Sequence, residues 1–327
     1  MSSTSKHSTP QQETHERKMG RIVMNDSVQS PKRFWRLRLA VGIATVGRPA
    51  VLAQMLQRLK AQTRTPDAIV VCATNSADVE GIAETFPEAT ILMGPQGSCH
   101  QRNVILRHLS AFDVVVFFDD DFVPCARYME RVEEIMLYCP DVVMTTGRVL
   151  KDGILGPGLS FETADAVLKL SSRVPDIVDT LVDVFNGYGC NMSVRLAPAQ
   201  AHGLTFDEKL PLYGWLEDID FSQHLVRFGR VVKSDATLGV HLGIKSGRQS
   251  GVRLGYSQIA NPLYLIRKGT CSRRKGFAQI SRNLAANIIL SLWPEAWVDR
   301  RGRLFGNVRA IVDLVSGRLD PSRVLSL

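Results

Sequence analysis

The stretch VVVFFDDDFVP, residues 114–124, places three adjacent aspartates directly after an apolar run. Five apolar residues predict a buried β-strand that ends at Asp119, Asp120 and Asp121. Neighbouring carboxylates raise one another's proton affinity, so we expect positive charge beside them. Alternate residues of an extended chain point the same way, which lets Asp119 and Asp121 address one site. Such oxygen ligands suit Mg²⁺ or Mn²⁺ shared with substrate phosphates; an acidic surface turn is the simpler alternative.

The rest of the first 150 residues alternates between predicted strands and helices. Apolar strands are predicted in RLRLAVGIA, DAIVVCAT, ATILMG, DVVVFFD and DVVMTTGRV, and helices begin near Pro49, in SCHQRNVILRHLS and near Ala126. This order predicts an α/β, Rossmann-like fold with a mostly parallel sheet flanked by helices. Ligands of such sheets bind beyond the carboxyl ends of the strands, where the segments 45–48 and 74–75, with the polar residues Thr45, Arg48, Thr74 and Asn75, also lie.

Charge is unevenly distributed along the 327 residues, although the formal net charge is only +8. Residues 1–38 carry 8 basic and 3 acidic groups, residues 39–225 carry 14 and 24, and residues 226–327 carry 18 and 5. A basic tail is either a solvated surface or a patch for an anionic membrane or nucleic acid. Because no nucleic-acid motif accompanies this charge, we do not expect a nucleic-acid partner.

Composition predicts a cytoplasmic protein with three regions. The six cysteines are scattered without a C-x-x-C pair, which suits a reducing compartment. No signal-peptide pattern and no run of about 18 apolar residues is present. Residues 1–36 are polar and predicted to be disordered. We expect a catalytic-type α/β domain over residues 37–250 and a basic helical extension over residues 251–327.

Three further segments carry candidate functional residues. GWLEDID places Glu217 and Asp218 at a predicted helix start, where acidic residues also favour the helix dipole without any catalytic role. VHLGIKSGR carries His241 ahead of two cations that could meet phosphates. GPQGSCHQRN sets glycines before a helix with Arg102, which suits an approaching anion, although it lacks the G-K-[ST] ending of a P-loop.

Taken in order, TVGRP, GSCHQRN, FFDDDFVP, NGYGCNMSVR and GWLEDIDF resemble inverting glycosyltransferases of family 2, which have the GT-A fold. The resemblance covers roughly residues 39–243. It implies that Asp119 and Asp121, with His241, bind Mg²⁺ or Mn²⁺, and that Asp218 is the catalytic base beside Glu217. It also implies a set of nucleotide-sugar contacts: Thr45, Arg48, Asn75, Arg102, Asp119, Asp120 and Asn191.

The resemblance implies transfer of a sugar from a nucleotide sugar to a hydroxyl of a glycan or lipid-linked saccharide. The family often has an aspartate that reads uracil after the second strand, whereas this chain has VVCATNSAD, in which Asn75 or Asp78 would substitute. The donor nucleotide therefore stays open. Two alternatives also stay open: a sugar nucleotidyltransferase, which shares the acidic metal site, and a non-catalytic module that binds nucleotide sugars.

The last third of the chain contains a basic amphipathic pattern. Six apolar residues recur at helical spacing among arginines: Leu304, Phe305, Val308, Ile311, Val312 and Val315. Such a helix can associate peripherally with an anionic membrane, here the inner face of the cytoplasmic membrane. Alternatively, the apolar face packs on the catalytic domain. The sequence does not distinguish these interpretations.

Overall fold

The computed structural model describes residues 21–24, 36–171, 179–246 and 250–327. The prediction of disorder for residues 1–36 falls outside these ranges, apart from Arg36 and one short strand. The described residues form ten strands: β1 Arg21–Met24, β2 Leu39–Ala44, β3 Ala68–Ala73, β4 Ala89–Met93, β5 Val114–Asp119, β6 Phe122–Pro124, β7 Val142–Asp152, β8 Asp179–Asp183, β9 Asn191–Arg195 and β10 Arg230–His241.

These strands form one sheet in the order β1-β8-β10-β7-β9-β5-β2-β3-β4, and β6 pairs with β10. Strands β2 to β5 are parallel, as the alternating pattern predicts. Strand β9 lies antiparallel between β5 and β7, and β7 pairs in parallel with β10. The α/β fold with a mostly parallel sheet is therefore confirmed. The insertion of β9 brings the ends of β5, β7 and β10 to one edge of the sheet.

Ten helices accompany the sheet in the described ranges: α1 Pro49–Lys60, α2 Ile82–Thr85, α3 Ser98–His108, α4 Tyr128–Tyr138, α5 Phe161–Ser171, α6 Leu196–Ala201, α7 Glu217–Leu225, α8 Gly251–Lys268, α9 Arg273–Leu290 and α10 Arg300–Val315. Helices α1 and α4 pack on one face of the sheet, and α3 and α7 pack on the other. Alternate residues of β5 enter these two cores: Val116 and Phe118 the first, Val115 and Phe117 the second. The strand ends at Asp119, and Asp120 and Asp121 form the turn that leads into β6.

Residues 251–327 form the predicted helical extension, built from α8, α9, α10 and a final 3₁₀ turn. Two hydrogen bonds from α8 and the turn after it hold Asp220 of α7: Lys268 donates at 2.7 Å and Thr270 at 2.7 Å. Asn261 of α8 also donates to the carbonyl of Trp215 at 2.8 Å. The extension therefore fixes the position of the acidic segment that precedes and begins α7.

The apolar stripe of α10 is exposed rather than packed on the catalytic domain. Phe305, Val308, Ile311, Val312 and Val315 all face outward, so the interpretation that this face packs on the domain is wrong for these residues. Within the described ranges, no helix combines the length and the apolar character that crossing a membrane would require.

Candidate active site

The aspartate triplet lies where β5 ends, beside the end of β10. Ligand atoms of Asp119, Asp121 and His241 all lie within 4.8 Å of one another. Asp119 is partly exposed, whereas Asp121 and His241 are buried. The structure thus brings together the three predicted metal ligands, although His241 lies 120 residues after Asp121 in the chain.

Asp120 points away from this cluster, although Asp120 and Asp121 form a turn between β5 and β6 instead of continuing the predicted extended strand. It accepts hydrogen bonds from the Thr45 hydroxyl at 2.7 Å and from Nε of Arg48 at 3.1 Å, and a second Arg48 nitrogen lies 2.5 Å away. A guanidinium nitrogen of Arg48 also lies 3.5 Å from a carboxylate oxygen of Asp121. Burial raises the pKa of Asp120 to about 7, against the opposing effect of Arg48. The arginine supplies part of the positive charge that three adjacent carboxylates need.

His241 is held by a carboxylate that the sequence analysis missed. Its Nδ1 lies 2.9 Å from Oδ1 of Asp152, the last residue of β7. A carboxylate only accepts hydrogen bonds, so Nδ1 carries the proton and Nε2 faces Asp121 at 3.5 Å. Tyr188 donates its hydroxyl to the other oxygen of Asp152 at 2.9 Å. The sequence predicted a loop from Lys151 onward, and only the pairing of β7 with β10 brings Asp152 opposite His241.

The chemistry of this set fits a divalent metal. Two carboxylates and one imidazole, oriented by a further carboxylate, form a donor set that transition metals such as Mn²⁺ accept, and the carboxylates also suit Mg²⁺. Burial lowers the pKa of His241, but Asp121 and Asp152 outweigh it and raise the pKa to about 10, so without a metal the imidazole also holds a proton on Nε2, which a bound cation would displace. The same histidine contacts help to lower the pKa of Asp121 to about 2, although burial alone would raise it.

Arg102 connects the metal-type cluster to the acidic segment of α7. Its guanidinium lies 3.1 Å from Asp119 and 2.6 Å from Glu217, and it donates to the carbonyl of Gly189 at 2.8 Å. Arg102 is buried, so water screens these ion pairs weakly. A side chain at Gly189 would place its Cβ 3.0 Å from Glu217. Glycine at this position in NGYGCN therefore leaves room for the ion pair.

Asp218 lies beside Glu217 but has different partners. Its oxygens accept backbone N–H groups from Ile219 at 2.8 Å and from Gly189 at 3.3 Å. Burial raises the pKa of Asp218, which makes it a stronger base than an exposed aspartate. Burial likewise raises the pKa of Glu217, but Arg102 opposes that rise and occupies one oxygen. Of the two carboxylates, Asp218 is the better placed to take a proton from a substrate.

The chain enters α7 through backbone conformations that residues other than glycine rarely adopt. Leu212, Gly214 and Leu216 have φ values of 59°, 66° and 73°, in the left-handed region. A Cβ on Gly214 would also lie 2.5 Å from the hydroxyl of Ser98. Such strain persists only where surrounding contacts over-determine the structure, and it clusters at functional sites.

The other predicted nucleotide contacts differ in accessibility. Asn75 is exposed and caps the short helical turn at residues 76–79 through Ala77 and Asp78. Asp78 is buried and accepts N–H groups from Gly47 at 2.7 Å and Thr74 at 2.9 Å, so it fixes the loops after β2 and β3. Of the two residues suggested for base recognition, only Asn75 presents its side chain to solvent.

Asn191 does not reach the surface of the site. It is completely buried, accepts the Thr146 hydroxyl at 2.6 Å and donates to the carbonyl of Gly147 at 3.3 Å. These contacts tie β9 to β7 beneath the cluster of Asp119, Asp121 and His241. The side chain of Asn191 thus stabilises the strands beneath the candidate site.

A cavity of about 320 Å³ adjoins the start of α7. Its walls include Leu216 and Ile219, which flank the Glu217–Asp218 pair, and the polar side chains of Asn186, Lys275 and Arg282. Helix α9 of the extension supplies the last two, so the extension forms one wall of this cavity.

Comparisons with known proteins show similarity in fold alone. No family model matches the chain, and no curated protein matches its sequence. The fold is similar to the mannosyltransferase PcManGT from Pyrobaculum calidifontis, solved with GDP-Man and Mn²⁺, with a TM-score of 0.50, 14% identity, and 89% of this chain and 86% of that chain covered. It is also similar to GalNAc-T7, solved with UDP, GalNAc and Mn²⁺, with a TM-score of 0.51, 13% identity, and 83% and 61% covered. The chain therefore has the fold of GT-A glycosyltransferases.

Proposed function

We propose that this protein is an inverting glycosyltransferase that transfers a sugar from a nucleoside-diphosphate sugar to a hydroxyl of a glycan or lipid-linked saccharide. The observation that carries the proposal is the junction made by Arg102, which contacts Asp119 on one side and Glu217 on the other. The cluster of Asp119, Asp121 and His241 is thereby linked to the segment that carries the candidate base, Asp218. The fold neighbours, which were solved with nucleotides or nucleotide sugars and Mn²⁺, support the same assignment.

Donor binding uses the edge of the sheet at β2, β5 and β10. Asp119, Asp121 and His241 would hold Mn²⁺ or Mg²⁺, which supplies Lewis-acid neutralisation of the diphosphate leaving group. Thr45 and Arg48 position Asp120 and, in our proposal, contact the nucleotide together with Asn75. Asp152 keeps His241 in the tautomer whose Nε2 faces the cluster.

Transfer needs a base on the face of the sugar opposite the diphosphate, and we assign that role to Asp218. As the acceptor oxygen bonds to the anomeric carbon, its proton passes to Asp218. The bond from the anomeric carbon to the diphosphate oxygen breaks, and its electron pair leaves with the nucleoside diphosphate. One displacement of this kind inverts the anomeric configuration. Glu217 is held by Arg102 and borders the acceptor side of the proposed site. The positive charge of Arg102 offsets the negative charge that Glu217 adds beside Asp218.

The cavity beside α7 is the proposed acceptor site. Leu216 and Ile219, the chain neighbours of Glu217 and Asp218, line it, whereas the two carboxylates are not among the lining residues. The cations Lys275 and Arg282 on its wall suit an acceptor that carries phosphate or another anionic group.

Release of nucleoside diphosphate from a panel of sugar nucleotides, with Mn²⁺, Mg²⁺ or EDTA, tests the proposal. We expect metal-dependent release from one donor and its loss in Asp119→Asn. Asp165→Asn, which changes an exposed carboxylate paired with Arg58, is the matched control and should behave as wild type. Pyrophosphate formation from a sugar phosphate and a nucleoside triphosphate would instead identify a nucleotidyltransferase. Donor binding without release in the presence of diverse acceptors would favour the non-catalytic module.

A further inference from the structure

Helix α10 has an inverted distribution of polar and apolar residues. The face that packs on α8 and α9 consists of small or polar residues: Gly306, Asn307, Ala310 and Asp313, all buried. The opposite face carries a stripe at helical spacing: Phe305, Val308, Val312 and Val315. Phe305 is 64% exposed and Val315 is 85% exposed. In a helix that meets only water on its outer side, the arrangement would be the reverse.

The contacts of α10 with α8 and α9 include buried polar groups and a close helix crossing, beside an apolar cluster around Tyr256 and Ile259. Asn287 of α9 donates to Gln258 of α8 and to Asn307 of α10, each at 2.8 Å. Helices α8 and α10 cross at Gly255 and Gly306, where an added Cβ would lie 2.0 Å from the facing backbone oxygen. Small residues at the crossing and hydrogen bonds between the helices thus hold α10 in place without its large apolar side chains.

The segment between α9 and α10 continues the apolar surface. Leu292 is 64% exposed and Trp293 is 77% exposed. Nε1 of Trp297 donates to the carbonyl of Leu155 at 3.2 Å, and Leu155 is itself exposed on the loop after β7. Tryptophan is enriched where a protein meets the boundary between lipid and water. The segment between α9 and α10 therefore contacts the loop that follows Asp152, a residue of the candidate active site.

Basic residues accompany this surface. Residues 251–327 carry 13 basic and 4 acidic side chains. By helical spacing, Arg301 lies at the N-terminal end of the α10 stripe and Arg309 lies along its edge. Apolar side chains bordered by arginines are the pattern of a surface that inserts shallowly among anionic lipid headgroups.

We propose that the outer face of α10 and the adjoining Trp293 turn form a docking surface for an anionic lipid membrane. A second copy of this chain is the other occupant that would cover an apolar stripe. A two-fold dimer pairs the same surface of both copies, so it would bring two stripes bordered by Arg301 and Arg309 together, at a cost in like-charge repulsion. Anionic headgroups turn the same arginines into attractive contacts, so the charge distribution favours lipid. The inference does not require the proposed transfer reaction.

Co-sedimentation of the full chain with vesicles tests the proposal. Phosphatidylcholine vesicles with and without phosphatidylglycerol are compared at low and high salt. We expect binding that depends on phosphatidylglycerol and weakens with salt. Phe305→Ser/Val312→Ser should reduce the partition coefficient by about tenfold or more, because two apolar side chains that would insert into the lipid are lost. Arg301→Gln/Arg309→Gln should reduce it by about fivefold for each arginine.

Met93→Ser/Leu170→Ser is the matched control, because it removes two exposed apolar residues on β4 and α5. It should bind vesicles as wild type does, and circular dichroism should show native helicity in all variants. Three results would overturn the proposal. These are absence of vesicle binding, binding that ignores phosphatidylglycerol, and a dimer detected by light scattering that Phe305→Ser/Val312→Ser dissociates.

Discussion

Oδ1 of Asp152 lies 2.9 Å from Nδ1 of His241, although 89 residues separate them in the chain. The contact exists because β7 and β10 pair in parallel and both extend to the same edge of the sheet. It leaves Nε2 of His241 directed at Asp121. Asp152 is thus a positioning residue for the proposed metal site.

Asp152→Asn should weaken binding of Mn²⁺ by about 10–100-fold, the usual effect of removing a partner that orients a ligating histidine. Calorimetric titration of Mn²⁺ into the protein with saturating nucleoside diphosphate measures the affinity. Asp165→Asn serves as the surface control. Unchanged Mn²⁺ affinity in Asp152→Asn would show that His241 does not depend on this partner.

Asp218→Asn should reduce transfer by about 10²–10⁴-fold while donor affinity stays near wild type, because only proton removal from the acceptor is lost. Neighbouring Asp220 provides a contrast, since Lys268 and Thr270 hold it and it serves the fold. Asp220→Asn should lower the melting temperature more than Asp218→Asn does. Near-normal transfer by Asp218→Asn, once a donor and an acceptor are known, would refute its role as the base.

The sequence predicts Asp119 and Asp121 because their signal is local: an apolar strand ends in three aspartates. His241 ends another strand, but it joined the predicted ligands only through the family resemblance, and the structure brings it to the same cluster. Arg102 was predicted as a nucleotide contact, yet it bridges Asp119 and Glu217, which lie 17 and 115 positions further along the chain, and local patterns do not predict such a contact. The long-range pairing of β7 with β10 explains why Asp152, in a segment of glycine and turn residues, carried no recognisable signal.

The C-terminal extension shows more clearly that an apolar pattern does not by itself predict which face of a helix packs. A stripe of apolar residues in an amphipathic helix normally marks the face that packs. In α10 the packing is instead carried by Gly306 and by hydrogen bonds of Asn307, which sequence periodicity does not reveal. Only the exposed position of Phe305 distinguishes the two interpretations that the sequence left open.

Gly214→Ala should destabilise the protein by more than Gly317→Ala. Both glycines have nearly the same φ, 66° and 67°, so both substitutions carry the left-handed cost of about 1–2 kcal/mol. Only at Gly214 does the new Cβ also meet the Ser98 hydroxyl, whereas nothing lies within 4 Å at Gly317. Urea unfolding of the two variants measures the difference. Equal destabilisation would mean that the segment entering α7 relaxes freely.

Asp207→Asn should lower the free energy of unfolding at neutral pH but not in acid. Burial would raise the pKa of Asp207, but hydrogen bonds from Lys268 and Tyr264 outweigh it and lower the pKa. The stabilisation is present above the unfolded pKa, about 3.9, and is lost as pH falls through the lower folded value. Urea unfolding at stepped pH should show the two proteins converging below about pH 4. A difference in the free energy of unfolding that persists unchanged in acid would contradict a stabilising role of the ionised Asp207 carboxylate.

Metal-dependent binding of a nucleoside diphosphate tests the central claim most directly. Calorimetry with GDP and UDP compares wild type in Mn²⁺, wild type in EDTA, and Asp121→Ala in Mn²⁺. The account predicts binding of at least one diphosphate in Mn²⁺, with loss of that binding both in EDTA and in Asp121→Ala. Equal affinity in all three conditions would contradict a metal-assisted donor site at Asp119, Asp121 and His241.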